Sequence, residues 1–390
     1  MRACPRGAFH VLMAAGFGSG ANGGRRMDQW NIKDLSVLVR DLNQPRPLIY
    51  WIDLAVCLTV SALGLFLSRP FPDKIIDGSA AAISGLFLAA FALFRASYFN
   101  HELAHHSRQL RGFEIGWNLS VGIPLLIPSY LYSDHLNHHS VKGFASETDV
   151  EYFSPGMRGI RGALLLLAAS FLLPVMYAGR FLVLAPAAWL SPAIREWVDT
   201  HASSLGILGL SKRKPPTVTE VFGWRLQELA CFIYLISVLA AVASGLIPVN
   251  LVLQFYAVIV ILLVLHGIRI MVGHRYEVEG SRDRIEQVLD SYNFTGNRPL
   301  TCLMAPLGFH LHALHHLFPK IPYHNMPEAH RRINAALPAS SFYHLAESPS
   351  YFREAGRFLV RGGRPRKPRL RLHDDERSAD AAAVRTVDRL

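Results

Sequence analysis

The sequence predicts an all-α integral membrane protein: four transmembrane helices in two hairpins, re-entrant or interfacial helices between them, and a cytoplasmic cap of His-rich helices. Three observations predict it. Of 390 residues, 51% are hydrophobic and 18% charged, with a mean hydropathy of +0.22, a composition that belongs in a bilayer. Four apolar stretches have about the 20-residue length that crosses a ~30 Å hydrocarbon core as helix. Three tight histidine clusters each follow an apolar segment. The net charge of +11 would suit nucleic acid or anionic lipid, and the apolar content decides for lipid. Cys4, Cys57, Cys231 and Cys302 lie far apart without a CxxC pair, which excludes a disulfide scaffold and a thiolate zinc site.

Residues 1–26 hold Arg2, Arg6, Arg25 and Arg26, no acid, and a Gly-rich stretch from Gly16 to Gly24. They are expected to be disordered or an over-long start, with a transit peptide as the alternative, because Met27 opens a more ordinary segment. A cytoplasmic arm over 27–49 follows, and then a membrane domain over 50–350. Its first hairpin joins spans at Tyr50–Ser68 and Ser79–Phe99 through RPFPDKIIDG; its second joins Glu228–Leu246 and Val249–Gly267 around Pro248. Ile115–Tyr132 contains Pro124 and Pro128, and Gly162–Leu190 is interrupted by Pro174, Gly179, Arg180 and Pro186. Both are expected as re-entrant or interfacial helices. Residues 351–390 form a basic tail, with eight basic residues and one acid from Arg353 to Arg371, expected to be disordered. Lys and Arg crowd the arm, the SKRK run at 211–214 and the tail, but not the hairpin tips. Both termini and the histidine clusters should therefore be cytoplasmic, at a bacterial inner membrane.

The clusters are His101, His105 and His106 in NHELAHH, His135, His138 and His139 in DHLNHH, and His312, His315 and His316 in HLHALHHLFP. On a helix, positions i, i+3 and i+4 share one face within about 100°, so each HxxHH cluster can aim three imidazoles at one point. As mere filling they would be costly, since every ring has two nitrogens to satisfy. Imidazole suits zinc, copper, iron and nickel, but one zinc takes four ligands, so nine rings fit two first-row metals better. Soluble di-iron bundles use Glu with paired ExxH motifs, and here only Glu102 to His105 has that pattern.

HxxxHH, HxxHH and HxxHH followed by LFP, on two hairpins with long connections, resemble the integral-membrane fatty acid desaturases over residues 45–345. The resemblance implies a non-haem di-iron centre, with O2 as co-substrate, held by the nine clustered histidines. It also implies a further ligand just after the last span, where His274 stands in VGHRYE. In the stearoyl-CoA members an Asn four residues earlier assists through water; this chain has Ile270 there. No catalytic residue beyond the metal ligands is implied. The substrate would be a long-chain acyl lipid, acyl-CoA or acyl carrier protein, and the reaction insertion of a double bond. No HPGG haem-binding segment is present, so electrons would come from a ferredoxin or cytochrome-type donor. Nucleic acid is not an expected partner.

Two alternatives stand beside desaturation. The same centre could insert oxygen, as a lipid hydroxylase or carotenoid ketolase does. His101-Glu102-Leu103-Ala104-His105 is also a literal HExxH, the pattern of zinc metalloproteases, though that leaves both HxxHH clusters unexplained. His266 is expected to be structural, and His310 points away from its cluster. Glu102, Asp134, Glu147 and Asp149 are the acids placed to orient ligand imidazoles. Arg269 and Arg275 are expected to meet lipid headgroups, with an acyl-carrier phosphate as the alternative.

Overall fold

The computed structural model describes residues 32–69, 78–153, 159–205, 212–278, 280–281 and 283–360. The expectations for 1–26, for most of the first hairpin loop and for 361–390 lie outside these residues.

The first hairpin is α1 (Pro47–Leu67) and α2 (Ala80–Ser97). Pro47 opens α1, where its missing N–H costs nothing, and the Ser79 hydroxyl accepts from Ala82 N at 3.2 Å to cap α2. The two helices touch backbone to backbone. A Cβ on Gly64 would sit 2.6 Å from Ala89 N, and one on Gly85 2.7 Å from Gly64 O, so only glycine permits this crossing. Asp53 and Arg95 pair across the hairpin. After Tyr98 the chain resumes as α3 (Phe99–His106), which carries the first cluster.

Ile115–Tyr132 is broken into short turns and doubles back on itself, the Asn118 Oδ1 accepting from Ser129 N at 2.9 Å. It delivers the chain to α4 (His135–His138), the second cluster.

Five helical stretches among the described residues are long and apolar enough to cross a bilayer, against four expected. The additional one covers 159–190, where α5 (Gly159–Gly179) runs through a π-helical segment at 180–184 into α6 (Ala185–Leu190). The prolines do not interrupt it. The wider π turn sits directly ahead of Pro186 and takes up the missing donor and the ring clash that proline imposes. Both ends pack against segments that adjoin histidines: Leu166 joins Ile270 and Tyr276, while Arg180 donates to the Tyr130 hydroxyl at 3.2 Å. Arg180 is buried, and Glu228 accepts from it at 2.7 Å and from Arg195 of α7 (Pro192–His201) at 2.7 Å.

The second hairpin is α8 (Val218–Ala243) and α9 (Val249–Met271). The first of these starts ten residues ahead of the expected Glu228, because Thr217 and Glu220 form a capping box. The Gln254 amide donates to Leu65 O at 2.8 Å and Ser68 Oγ at 2.7 Å, joining the two hairpins.

Beyond α9, α10 (Arg284–Asp290) leads into β1 (Asn293–Phe294), and α11 (His312–Leu317) carries the third cluster. β1 pairs in parallel with β2 (Glu347–Ser348), Asn293 opposite Glu347. The stretch expected as tail is not irregular throughout: α12 (Tyr351–Val360) is helical, with Tyr351, Glu354 and Phe358 buried. Its apolar face recurs every three to four residues while Arg353 and Arg357 point outward, and Phe358 packs on Phe153 and Tyr276.

Candidate metal centre

The three clusters and the segment after α9 converge. His101, His105, His135, His139 and His315 form one group; His138, His274, His312 and His316 form another. Within each group one ligand atom per residue lies within 4.8 Å of all the others, and all nine rings are buried except the half-buried His105. Helical spacing explains the sorting. His135 and His139, one turn apart on α4 and its cap, serve the first group, and His138, turned about 100° from His139, serves the second. On α11 the order reverses: His312 and His316 serve the second group and His315 the first. His106, one residue beyond His105, belongs to neither group, and its Nδ1 contacts Gln109 Oε1 at 3.3 Å. The ten expected ligands thus divide into nine that converge and one that does not.

Tertiary pairing places His274. Its Nδ1 lies 3.1 Å from Ser291 Oγ and 3.6 Å from Asp290, and residues 274 and 291 form a β-bridge. The same strand-like segment receives Ala313 N at Tyr292 O and Leu314 N at Asn293 Oδ1, which fixes α11 beside it.

The donor set fits two cations. Five Nε2···Nε2 separations run from 2.8 to 3.2 Å. Both nitrogens of His101 and the Nε2 of His105 are buried with no hydrogen-bond partner among the described residues. Burial first, and then the positive neighbours each would have if charged, hold His139, His274, His312, His315 and His316 well below the usual imidazole range. They are therefore neutral, with lone pairs free for a metal. Orphaned buried lone pairs aimed at common points are what a bound metal would satisfy.

Carboxylates hold several rings from behind. His135 Nδ1 meets Glu151 at 2.5 Å, and His138 Nδ1 meets Asp149 at 2.8 Å. Burial pushes the Glu151 carboxyl up, but the facing His135 outweighs it and brings it to about 2. Burial raises Asp290 to about 7 against the donors Glu277 N and the Tyr152 hydroxyl. Of the four acids expected behind the ligands, Asp149 alone hydrogen-bonds a clustered imidazole, and Glu102 lies 3.9 Å from His101 Nδ1. Glu102 accepts from the Tyr50 hydroxyl at 2.5 Å and from Tyr323 N at 3.2 Å, Asp134 makes no hydrogen bond to a clustered histidine among the described residues, and Glu147 is exposed. Glu151 and Asp290 were missed; Glu151 ends the acidic run ETDVE, but no spacing singles it out.

Phe309 joins the two groups, its ring centroid 4.4 Å from that of His101 and 5.5 Å from that of His312. Arg269 covers Phe309 at 3.8 Å. It is buried and makes no ion pair among the described residues, so it does not face headgroups. Arg275 lies over Tyr292 and donates to Leu345 O at 2.9 Å. His310 lies outside both groups, 4.0 Å from Cys302 Sγ. His266 also stands outside them, but it lines a cavity of about 120 Å³ that reaches His101.

The family model described as fatty acid desaturase matches residues 78–347. The chain belongs to the fatty acid desaturase family. The family consists of membrane di-iron oxidoreductases that use oxygen, which accounts for two imidazole groups side by side at the foot of apolar helices. A ceramide hydroxylase of Caulobacter vibrioides (strain NA1000 / CB15N) is 35% identical to this chain over 332 residues, 82% of this chain and 90% of that protein. Within the family, then, a relative of nearly matching extent carries the name of an oxygen-inserting enzyme. The zinc-protease alternative finds its general base, Glu102, already engaged by Tyr50 and Tyr323.

Proposed function

We propose that the chain is a membrane-bound lipid hydroxylase whose substrate is a ceramide or a closely related N-acyl lipid. The carrying observation is the 35% identity to a ceramide hydroxylase across 82% of this chain. It favours oxygen insertion, the alternative in the sequence reading, over the desaturation placed first there.

His101, His105, His135, His139 and His315 would hold one iron, and His138, His274, His312 and His316 the other. Bound there, iron supplies the power to break an unactivated C–H bond with dioxygen, which no side chain has. The balance is R–H + O2 + 2 electrons + 2 protons giving R–OH + H2O, with the electrons from a ferredoxin or cytochrome-type donor. The protein's own part is positioning. Glu151, Asp149 and Ser291 fix the ring orientations, and the largely apolar cavity wall keeps water away and presents hydrocarbon beside His101. The Lys and Arg asymmetry supports a cytoplasmic site and donor.

The test is expression with ceramide under isotopic dioxygen, beside a His316→Ala control. A product heavier by one labelled oxygen, absent from the control, is expected. A product lighter by two hydrogens would return the chain to the desaturases.

A further inference from the structure

The cavity beside His101 lies between the end of α2, the start of α3, the middle and end of α5 and the last turns of α9. Leu166, Leu173 and Leu262 give it a hydrocarbon wall. Its polar side chains are mostly committed elsewhere. Ser97 donates to Phe94 O, Ser170 to Leu166 O, Tyr132 to Glu151 and Tyr177 to Ser204 O. Two are not. His266 faces the Tyr98 hydroxyl through Nδ1 at 2.8 Å, and its Nε2 makes no hydrogen bond among the described residues. Asn100 donates through Nδ2 to Ile127 O at 3.4 Å, and its Oδ1 is buried without a partner among the described residues. Unspent polar groups beside a hydrocarbon wall are costly unless a ligand meets them.

We propose that His266, positioned by Tyr98, and Asn100 form a polar notch that selects a substrate carrying a secondary amide near the reacting carbon. With the Tyr98 hydroxyl donating to Nδ1, the His266 proton sits on Nε2 and donates to the amide carbonyl. Asn100 Oδ1 accepts from the amide N–H. One donor and one acceptor match an amide, whereas an ester or thioester carbonyl meets only the donor and a hydrocarbon chain meets neither. This gives His266, expected from sequence to be structural, a role in specificity without making it a metal ligand. The inference rests on the N-acyl lipid reading above and explains how such a lipid would be told from other chains of equal length.

The test uses the full chain in lipid nanodiscs and two competing probes: a ceramide, and an isostere in which two methylenes replace the amide. The wild type should bind the ceramide about 100-fold more tightly, about tenfold for each of two buried hydrogen bonds. His266→Phe should cut the ratio about tenfold with isostere binding unchanged, leaving the share carried by Asn100, and His266→Gln should restore part of the loss. Thermal melts and metal content, unchanged in both variants, confirm intact protein. Equal binding of the two probes by the wild type, or an unchanged ratio in a folded His266→Phe, would overturn the notch. Ceramide hydroxylation with an unaffected ratio sinks the notch alone; a ratio that behaves as expected with no oxygenated product sinks the reaction assignment alone.

Discussion

His138 and His274, 136 residues apart in the chain, bring their Nε2 atoms to 3.1 Å. His274 stands equally close to His312, so it closes the second group from the side that no cluster motif supplies. His274→Ala should remove about half of the bound metal and lower activity by about 100-fold or more, beyond what loss of an orienting partner costs. Elemental analysis of the purified variant measures the first effect. His310→Ala, outside both groups, should leave both readouts at wild-type values.

Adjacent residues should behave differently in the first cluster. His105→Ala is expected to lose metal, whereas His106→Ala should keep a full complement, because its ring contacts Gln109 and not the converging imidazoles. Equal metal loss in the two variants would place His106 among the ligands.

Glu151→Gln and Asp149→Asn remove charge behind His135 and His138 while keeping shape. Each should weaken metal binding by about 10- to 100-fold, measured by chelator competition. Glu147→Gln, at an exposed position, should not.

Acid should destabilise the metal-free protein. His139, His274, His312, His315 and His316 are held well below 6.5 in the folded state, while the unfolded chain takes up protons near that value. Below pH 6.5 the unfolded state then binds more protons than the folded one, so stability is full above that pH and falls as pH drops through it. His138, raised by Asp149 despite burial, and Asp290, raised by burial to about 7, work in the opposite sense but are two groups against five. Thermal melts from pH 7.5 to 5.5 should show a falling midpoint; a flat or rising one would contradict the arrangement.

Much of this was legible in the sequence. Apolar run length and turn chemistry placed α1, α2, α8 and α9, and the i, i+3, i+4 spacing announced that the histidines converge. Spacing within one helix does not say which ring serves which group, because that depends on where a second helix crosses it. His106 is counted as a ligand only through the family resemblance, and the spacing alone does not set it apart. Continuity through Pro186 is not legible because a π turn absorbs what a regular α-helix could not, and Pro174 sits inside a helix that local pattern would end there. Glu151 and Asp290 reach the centre only through tertiary packing, and local pattern carries no trace of it. α12 was read as tail because its charges dominate the composition while its buried face rests on three residues.

His138 and His139 are consecutive, yet they serve different groups, as do His315 and His316. One inserted or deleted residue ahead of the HH pair in either motif would rotate the following histidines by about 100° and pull ligands from both groups together. Point substitutions can be graded in their damage, but a change of length here cannot be confined to one side. Such indels should be lethal to function where they fall between the first histidine of HxxHH and its HH pair, since both rings that follow are then displaced.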